Sequence, residues 1–265
     1  MDMLVTTTTP TPDATGRNPH FEVAGRTMTR IWHCFGNSMH TVDLALVRRM
    51  LHASESNVLP VNTHALSALN GRDGLIIGFG DVTFDRLRDA VPMESLVLML
   101  NVNHQTTAAA AVDKTLRGCD LSGIDIVKLE VLSDDHKTSN NAALLEAVAV
   151  IREKRPDLII MPLLGANLET AAALVELGCP LLRVMGSPIG SGEGIRDEKA
   201  FSAICGLTAP VILDGGVGSV EDYRQALALG ADGCLVNSML FACAATPDEV
   251  LRRFVDDASE RVREP

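Results

Sequence analysis

Aromatic side chains are scarce in this chain: of 265 residues, one is Trp, one Tyr and seven Phe, although 46% are hydrophobic. A core built with so few rings is aliphatic and alanine-rich, which suits parallel strands buried under helices. Basic residues are outnumbered, 23 Lys and Arg against 34 Asp and Glu, for a formal net charge of -11. That balance excludes non-specific nucleic-acid binding, which needs cations to neutralise phosphates, but leaves room for a phosphorylated metabolite held locally. Paired cysteines are missing too. Cys34, Cys119, Cys179, Cys205, Cys234 and Cys243 are dispersed, with no CxxC pair and no zinc-ribbon spacing, and read as reduced thiols of a cytoplasmic protein. No apolar run reaches the roughly 18 residues of a membrane span, and the run from Thr6 to Pro12 has neither the basic start nor the apolar centre of a signal peptide. Residues 1–19 read as a disordered Thr/Pro-rich tail and 20–265 as one domain.

What is present is an alternation of short apolar runs and helix-period segments. Candidate strands fall at 29–34, 57–62, 96–102, 124–131, 158–163, 181–184, 211–213 and 233–236, with helical patterns at 142–155, 168–177 and 220–229 among the segments between them. Eight such units at this length predict an α/β protein, a single (β/α)8 TIM barrel of the ribulose-phosphate-binding type, with an open doubly wound sheet as the alternative. Residues 21–29, centred on Gly25 and Arg26, predict a hairpin closing the barrel floor, and the glycine-rich insertion at 71–80 is expected to cover one mouth.

The fourth candidate strand carries Lys128 and Glu130. A strand alternates its side chains, so both point to one face, and in a strand this apolar that face is interior. Burying an ammonium costs several kcal/mol unless it is paired or becomes a neutral amine. The pair therefore reads either as a structural ion pair or as a lysine nucleophile for carbonyls. Asp214, ending the seventh strand, projects toward the same mouth and supplies, with Glu130, the acid and base groups that imine formation and enolisation require.

Chemistry in such barrels collects at the C-terminal strand ends. Glycine-bearing segments end the sixth and seventh strands, Gly186 to Gly194 and Asp214 to Gly218, and Asn237-Ser238 follows the eighth. Glycines let backbone N–H groups approach an anion closely. Gly186, Gly190, Gly215, Gly216, Asn237 and Ser238 are the candidate phosphate-binding residues; the alternative is that the glycines only make tight turns. His33, His64 and His104 end the first three strands. No carboxylate accompanies them, so no metal is expected, and with Asn62 and Asn103 they read as partners for substrate hydroxyls. No cofactor is expected. His136, in the run Asp134 to Lys137, reads as an ordinary surface residue of a solvated loop that could help form a lid.

Taken together, Val127-Lys128-Leu129-Glu130-Val131, the Ser-Pro-Ile-Gly-Ser-Gly segment from Ser187 to Gly192, Asp214-Gly215-Gly216-Val217-Gly218 and Gly230-Ala231-Asp232-Gly233 leading to Asn237-Ser238 resemble the thiazole synthase family. The likeness runs from about 124 to 246. It implies a Schiff base between Lys128 and a phosphorylated sugar, Glu130 and Asp214 as acid and base, a phosphate held by the late loops, and sulfur delivered as a thiocarboxylate on a ThiS/MoaD-like, ubiquitin-like carrier protein. The early loops depart from that family's pattern. His33-Cys34-Phe35-Gly36-Asn37 and Val61-Asn62-Thr63-His64 replace a Gly-Thr-Gly-Lys-type segment and an arginine pair, and Asn101-Val102-Asn103-His104 replaces a Pro-Asn-Thr.

Amide and imidazole groups suit hydroxyls. The expectation is a divergent paralogue of the 2-thiosugar synthase type, acting on a hexose phosphate such as glucose 6-phosphate. Its alternatives are a thiazole synthase using 1-deoxy-D-xylulose 5-phosphate, a class I aldolase or isomerase of a sugar phosphate, and a barrel serving only to bind the carrier. A homo-oligomer is expected, with no nucleic-acid or membrane partner.

Overall fold

The computed structural model describes residues 16–36, 40–63 and 74–260. Eight parallel strands, each followed by a helix, form the barrel: β3 (Ile31–His33), β4 (Val58–Asn62), β6 (Val97–Gln105), β7 (Ile126–Val131), β8 (Ile159–Gly165), β9 (Leu182–Met185), β10 (Val211–Asp214) and β11 (Gly233–Val236). The helices are α1 (Leu44–Ser54), α2 (Phe84–Arg88), α3 (Ala108–Ser122), α4 (Asn141–Lys154), α5 (Leu168–Glu176), α6 (Glu198–Cys205), α7 (Val220–Ala228) and α8 (Pro247–Glu260). The predicted eight-unit barrel and its strand positions are therefore observed, with shifts of one to three residues at the ends. Among the described residues, no helix is long and apolar enough to cross a membrane.

Period-two alternation divides the core into two layers. Residues facing out of the strands, such as Val127, Leu129, Ile160, Val184 and Leu213, pack under the helices. Those facing in at the lower level are Trp32, Val58, Met99, Ile126, Met161, Leu181, Ile212 and Leu235. The floor beneath them is the predicted hairpin, β1 (His20–Val23) with β2 (Arg26–Thr29), whose Val23 and Met28 are buried against that interior layer and whose Phe21 stacks 6.5 Å from Trp32.

The sheet runs β3-β11-β10-β9-β8-β7-β6-β4 and ends on the short β5 (Ile76–Ile77), so β3 and β4 face one another without a hydrogen-bonded ladder. Buried backbone groups need partners, and side chains and an inserted strand supply them at this seam. Asn18 Nδ2 donates to the carbonyls of Ile31 and Ser54, and Asn18 Oδ1 accepts from Ile31 N at 2.9 Å. Higher up, β5 (Ile76–Ile77) runs antiparallel to β4, and Phe79 N donates to Phe35 O at 3.1 Å. The described part of the glycine-rich insertion thus caulks the seam at the mouth. Gly78 lies so close to Phe35 that a Cβ would stand 2.1 Å from its carbonyl oxygen, and its φ of +67° is in the left-handed region.

Arg17 and Asn18 fell within the expected tail, yet Asn18 is buried and Arg17 pairs with Glu55 and Asp256, each at 2.7 Å. The folded body therefore begins by residue 16; residues 1–15 lie outside the described residues. Asn18→Ala is expected to cost about 2 kcal/mol or more, because it strands a buried N–H and carbonyl on Ile31. Urea unfolding with an unchanged m-value would report that loss.

Candidate active site

Strand register puts the polar side chains at the barrel's upper level. Asn62 on β4 pairs in register with Asn101 on β6, and Asn101 with Lys128 on β7, so three inward side chains occupy one level on adjacent strands. Glu130 lies one step higher on β7, level with Leu163 and, through it, with Arg183 on β9; Asp214 ends β10. All are buried.

Lys128 Nζ donates to Glu130 Oε1 and lies 4.0 Å from Asp214 Oδ2. Arg183, with no exposed surface, reaches both carboxylates: its Nε and Nη2 are each 2.7 Å from Asp214 Oδ2, and Nη2 is 2.8 Å from Glu130 Oε1. Its Nη1 faces the carbonyls of Met161 and Leu129 at 3.2 and 3.4 Å. Two cations and two anions therefore close on one another inside an apolar barrel. Burial alone would raise the Glu130 carboxyl, but the charges of Lys128 and Arg183 and their hydrogen bonds outweigh it and hold it down at about 2. In this resting state Glu130 is an anion.

Above these groups opens a cavity of about 180 Å³, lined by Lys128, Glu130 and Asp214 together with Asn62, Asn101, Asn103, His104, Asn237 and Ser238. Gly190, Gly192, Gly215 and Gly216 form one wall, so backbone rather than side chains faces the cavity there. Two loops, after β9 and β10, meet in this wall: Gly194 N donates to Gly216 O at 2.8 Å. A Cβ on Gly216, whose φ is +90°, would stand 2.7 Å from the backbone oxygen of Gly194, so both the close approach and the backbone conformation call for glycine.

Gly186 does not line the cavity. A Cβ there would meet Gly194 O at 2.6 Å, and the residue serves the packing of the two loops instead. His33 is also displaced from its expected role: it shares the outward parity of Ile31, is wholly buried, and sets Nε2 3.0 Å from Ser54 Oγ on α1. His64 and Asn37 lie outside the described residues. The three strand-end histidines thus do not read as one cluster.

His104 enters the cavity through an irregularity. The β6–β7 register shifts between Val102 and Gln105, and His104 has φ +60°, so a side chain that strict alternation would send outward turns to the mouth. His136 joins it there, its ring 6.2 Å away, although its loop reads as solvated from sequence. The same loop touches the opposite wall, with Ile189 N donating to Lys137 O at 2.9 Å.

Arg183 and Asn101 carry no role in the sequence reading. The signal for Arg183 was a charge at an inward parity of a four-residue strand; the signal for Asn101 was its register beside Lys128, which needs the strand alignment. Asn101 matters through its hydrogen bonds. Asn62 Nδ2 donates to the Gly78 carbonyl, and Asn101 Nδ2 donates to Asn62 Oδ1 at 2.8 Å. A carbonyl only accepts, so Gly78 fixes the direction of both amides. Asn101 Oδ1 is left buried at the end of the chain with no donor among the described residues.

A lysine beside two carboxylates beneath a glycine wall, at the C-terminal mouth of a (β/α)8 barrel, lies where barrel enzymes gather their chemistry. The family described as "Thiazole biosynthesis protein ThiG" matches residues 39–255, and the chain belongs to that family. Curated relatives include thiazole synthases of Prochlorococcus marinus (strain MIT 9515), 32% identical over 59% of this chain and 61% of that protein, and of Exiguobacterium sibiricum, 37% identical over 56% and 58%. The chain thus spans about three fifths of the length of these relatives. Among solved structures, a chain of the Amycolatopsis orientalis BexX/CysO complex superposes with a TM-score of 0.76 at 27% identity, over 94% of this chain and 98% of that one. Thiamine phosphate pyrophosphorylase from Pyrococcus furiosus, at 17% identity and a TM-score of 0.55 over 86% of this chain and 96% of its own, shares the fold.

Proposed function

We propose that the protein is a sulfur-inserting enzyme. Lys128 condenses with the carbonyl of a sugar phosphate, releasing water and forming an imine. The imine acidifies the neighbouring carbon, and Glu130 and Asp214 move the protons that shift the carbonyl along the sugar. The thiocarboxylate of a ubiquitin-like carrier protein then attacks that carbonyl. Across the whole reaction one sugar hydroxyl becomes a thiol and its oxygen leaves on the carrier's carboxylate, so no oxidant or reductant is required. Gly190, Gly215, Gly216, Asn237 and Ser238 would hold the phosphate at the glycine wall. Likeness to a chain of the BexX/CysO complex supports a carrier-protein partner.

The observation that carries the substrate assignment is the directed amide chain. Asn101 offers an acceptor one strand from Lys128, which calls for a hydroxyl beside the carbon that the lysine attacks; Asn103 and Asn237 add two further amide oxygens that have no partner among the described residues. A hexose phosphate, such as glucose 6-phosphate, offers hydroxyls along its whole chain, and the product would be a 2-thiosugar phosphate.

Borohydride trapping with a panel of sugar phosphates, read by intact mass and peptide mapping, tests this. The expected result is a hexose phosphate adduct on Lys128, stronger than that of 1-deoxy-D-xylulose 5-phosphate. A protein left unmodified by every pentose and hexose phosphate would sink the proposal. Asn101→Leu should lower the trapping rate for the hexose phosphate roughly tenfold or more, the worth of one or two hydrogen bonds in a dry site.

A further inference from the structure

The lysine's charge cannot be constant during imine chemistry. It is a neutral amine when it attacks, a cation as an iminium, and neutral once a neighbouring carbon has lost its proton. Two carboxylates buried beside it would lose their counter-ion at each neutral stage, and like charges in a dry site drive one of them to take up a proton. Arg183 is placed to balance whichever carboxylate stays charged. It is fully buried, lies outside the cavity lining, and commits Nε and Nη2 to the carboxylates while Nη1 faces backbone carbonyls, so it has no direct role toward substrate.

We propose that Arg183 is a positioning residue that acts as the permanent counter-ion of the site, balancing the two carboxylates whenever Lys128 is neutral, with Glu130 the one placed to exchange a proton with Lys128. The asymmetry lies in the contacts. Both Asp214 approaches, at 2.7 Å, converge from Arg183 on Oδ2, with Lys128 at 4.0 Å; Glu130 Oε1 divides itself between Lys128 and one guanidinium nitrogen. A proton leaving Nζ therefore has Glu130 as its nearest acceptor. A guanidinium suits the part because it stays protonated and presents a rigid fork, whereas a second lysine could titrate. Among the described residues, the charged and titratable groups around Glu130 include Lys128 on its own strand, Arg183 from β9, Asp214 from β10 across the shared guanidinium, Cys34 following β3 and His104 from β6.

The inference rests on the imine reading for its catalytic meaning, but its test does not need turnover. Protein labelled with carbon-13 at the Glu and Asp carboxyls is titrated without substrate. The Glu130 signal is expected to stay that of a carboxylate from pH 8 down to about pH 3, because the counter-ions oppose protonation. In Arg183→Met its midpoint should rise by at least one unit, a tenfold gain in proton affinity, and Arg183→Lys should recover part of that. With sugar phosphate, Arg183→Met should cut the trapping rate at least tenfold and move its acid limb upward, while the concentration giving half-maximal trapping holds.

A Glu130 signal that titrates alike in wild type and Arg183→Met overturns the proposal, as does a rise in that concentration with an unmoved limb. Should neither variant fold, the wild-type titration decides: a Glu130 already protonated at pH 5 refutes a permanent counter-ion. Wild type that shows the expected titration but never yields a Lys128 adduct leaves Arg183's electrostatic role standing and removes the imine reading alone.

Discussion

Lys128→Met is expected to abolish the borohydride adduct and to lower turnover by about 10³-fold or more, the scale seen when a covalent nucleophile is removed. Arginine at the same place should not rescue it, since a guanidinium keeps charge but forms no imine. The same variant carries a stability signature that separates this lysine from a purely structural ion pair. Losing one cation from two cations and two anions leaves a carboxylate short of its partner in a dry barrel, and breaking a buried pair costs about 3–5 kcal/mol. Lys128→Arg should restore most of that stability and none of the chemistry.

The sign of the pH dependence follows from Glu130. Its carboxyl is depressed when folded, so its contribution is complete above the unfolded value near 4.5 and is lost as pH falls toward 2. In Lys128→Met the depression is weaker, so the deficit relative to wild type should narrow as pH drops through that window. Urea titrations of wild type, Lys128→Met and Lys128→Arg from pH 7 to pH 3, with trapping assayed in parallel, read both effects. Trapping that survives in Lys128→Met would assign the amine elsewhere.

The barrel itself was legible because its signals are local. Aliphatic runs, helix-period segments and glycine stops repeat eight times, and each reports on one unit without its neighbours. Lys128, Glu130 and Asp214 were legible for a related reason: strand parity sends them inward, and the strand ends define the mouth. What parity alone could not supply were properties of pairs of strands. Asn101 matters through a register with Asn62 and Lys128 and through a carbonyl in an inserted segment, none of which a single strand displays. His104 required an irregularity, at which one left-handed residue reverses the expected face. His33 shows the opposite failure. A histidine at a strand end looked like a partner for substrate hydroxyls, but parity with Ile31 sends it to α1. Arg183 was hidden by the apolar residues around it, since a fully buried guanidinium is tolerated only where carboxylates from other strands already wait for it.

His33 then predicts a second large effect, on acid stability. The ring is wholly buried between β3 and α1, edge-on to Phe35 at 4.7 Å, with Nε2 3.0 Å from Ser54 Oγ and Nδ1 3.4 Å from the Cys34 carbonyl. Burial disfavours the imidazolium, and the weak bond to Cys34 offsets little of that, so the ring's value falls from 6.5 to about 4. The unfolded chain takes up a proton near 6.5 that the native protein refuses until about 4. Stability is therefore full above 6.5 and declines as pH falls between those values, by about 3 kcal/mol at pH 4 on the scale of 1.36 kcal/mol per unit. His33→Phe keeps a ring of similar size and cannot titrate; it should be less stable than wild type at pH 7, where the bond to Ser54 is lost, and overtake it toward pH 4. Glu130's contribution, which is lost from about 4.5 downward, is common to both proteins, so the difference between their unfolding curves isolates His33. Parallel curves from pH 7 to pH 4 would mean that the imidazole is already charged in the folded state, and that β3 turns it toward water.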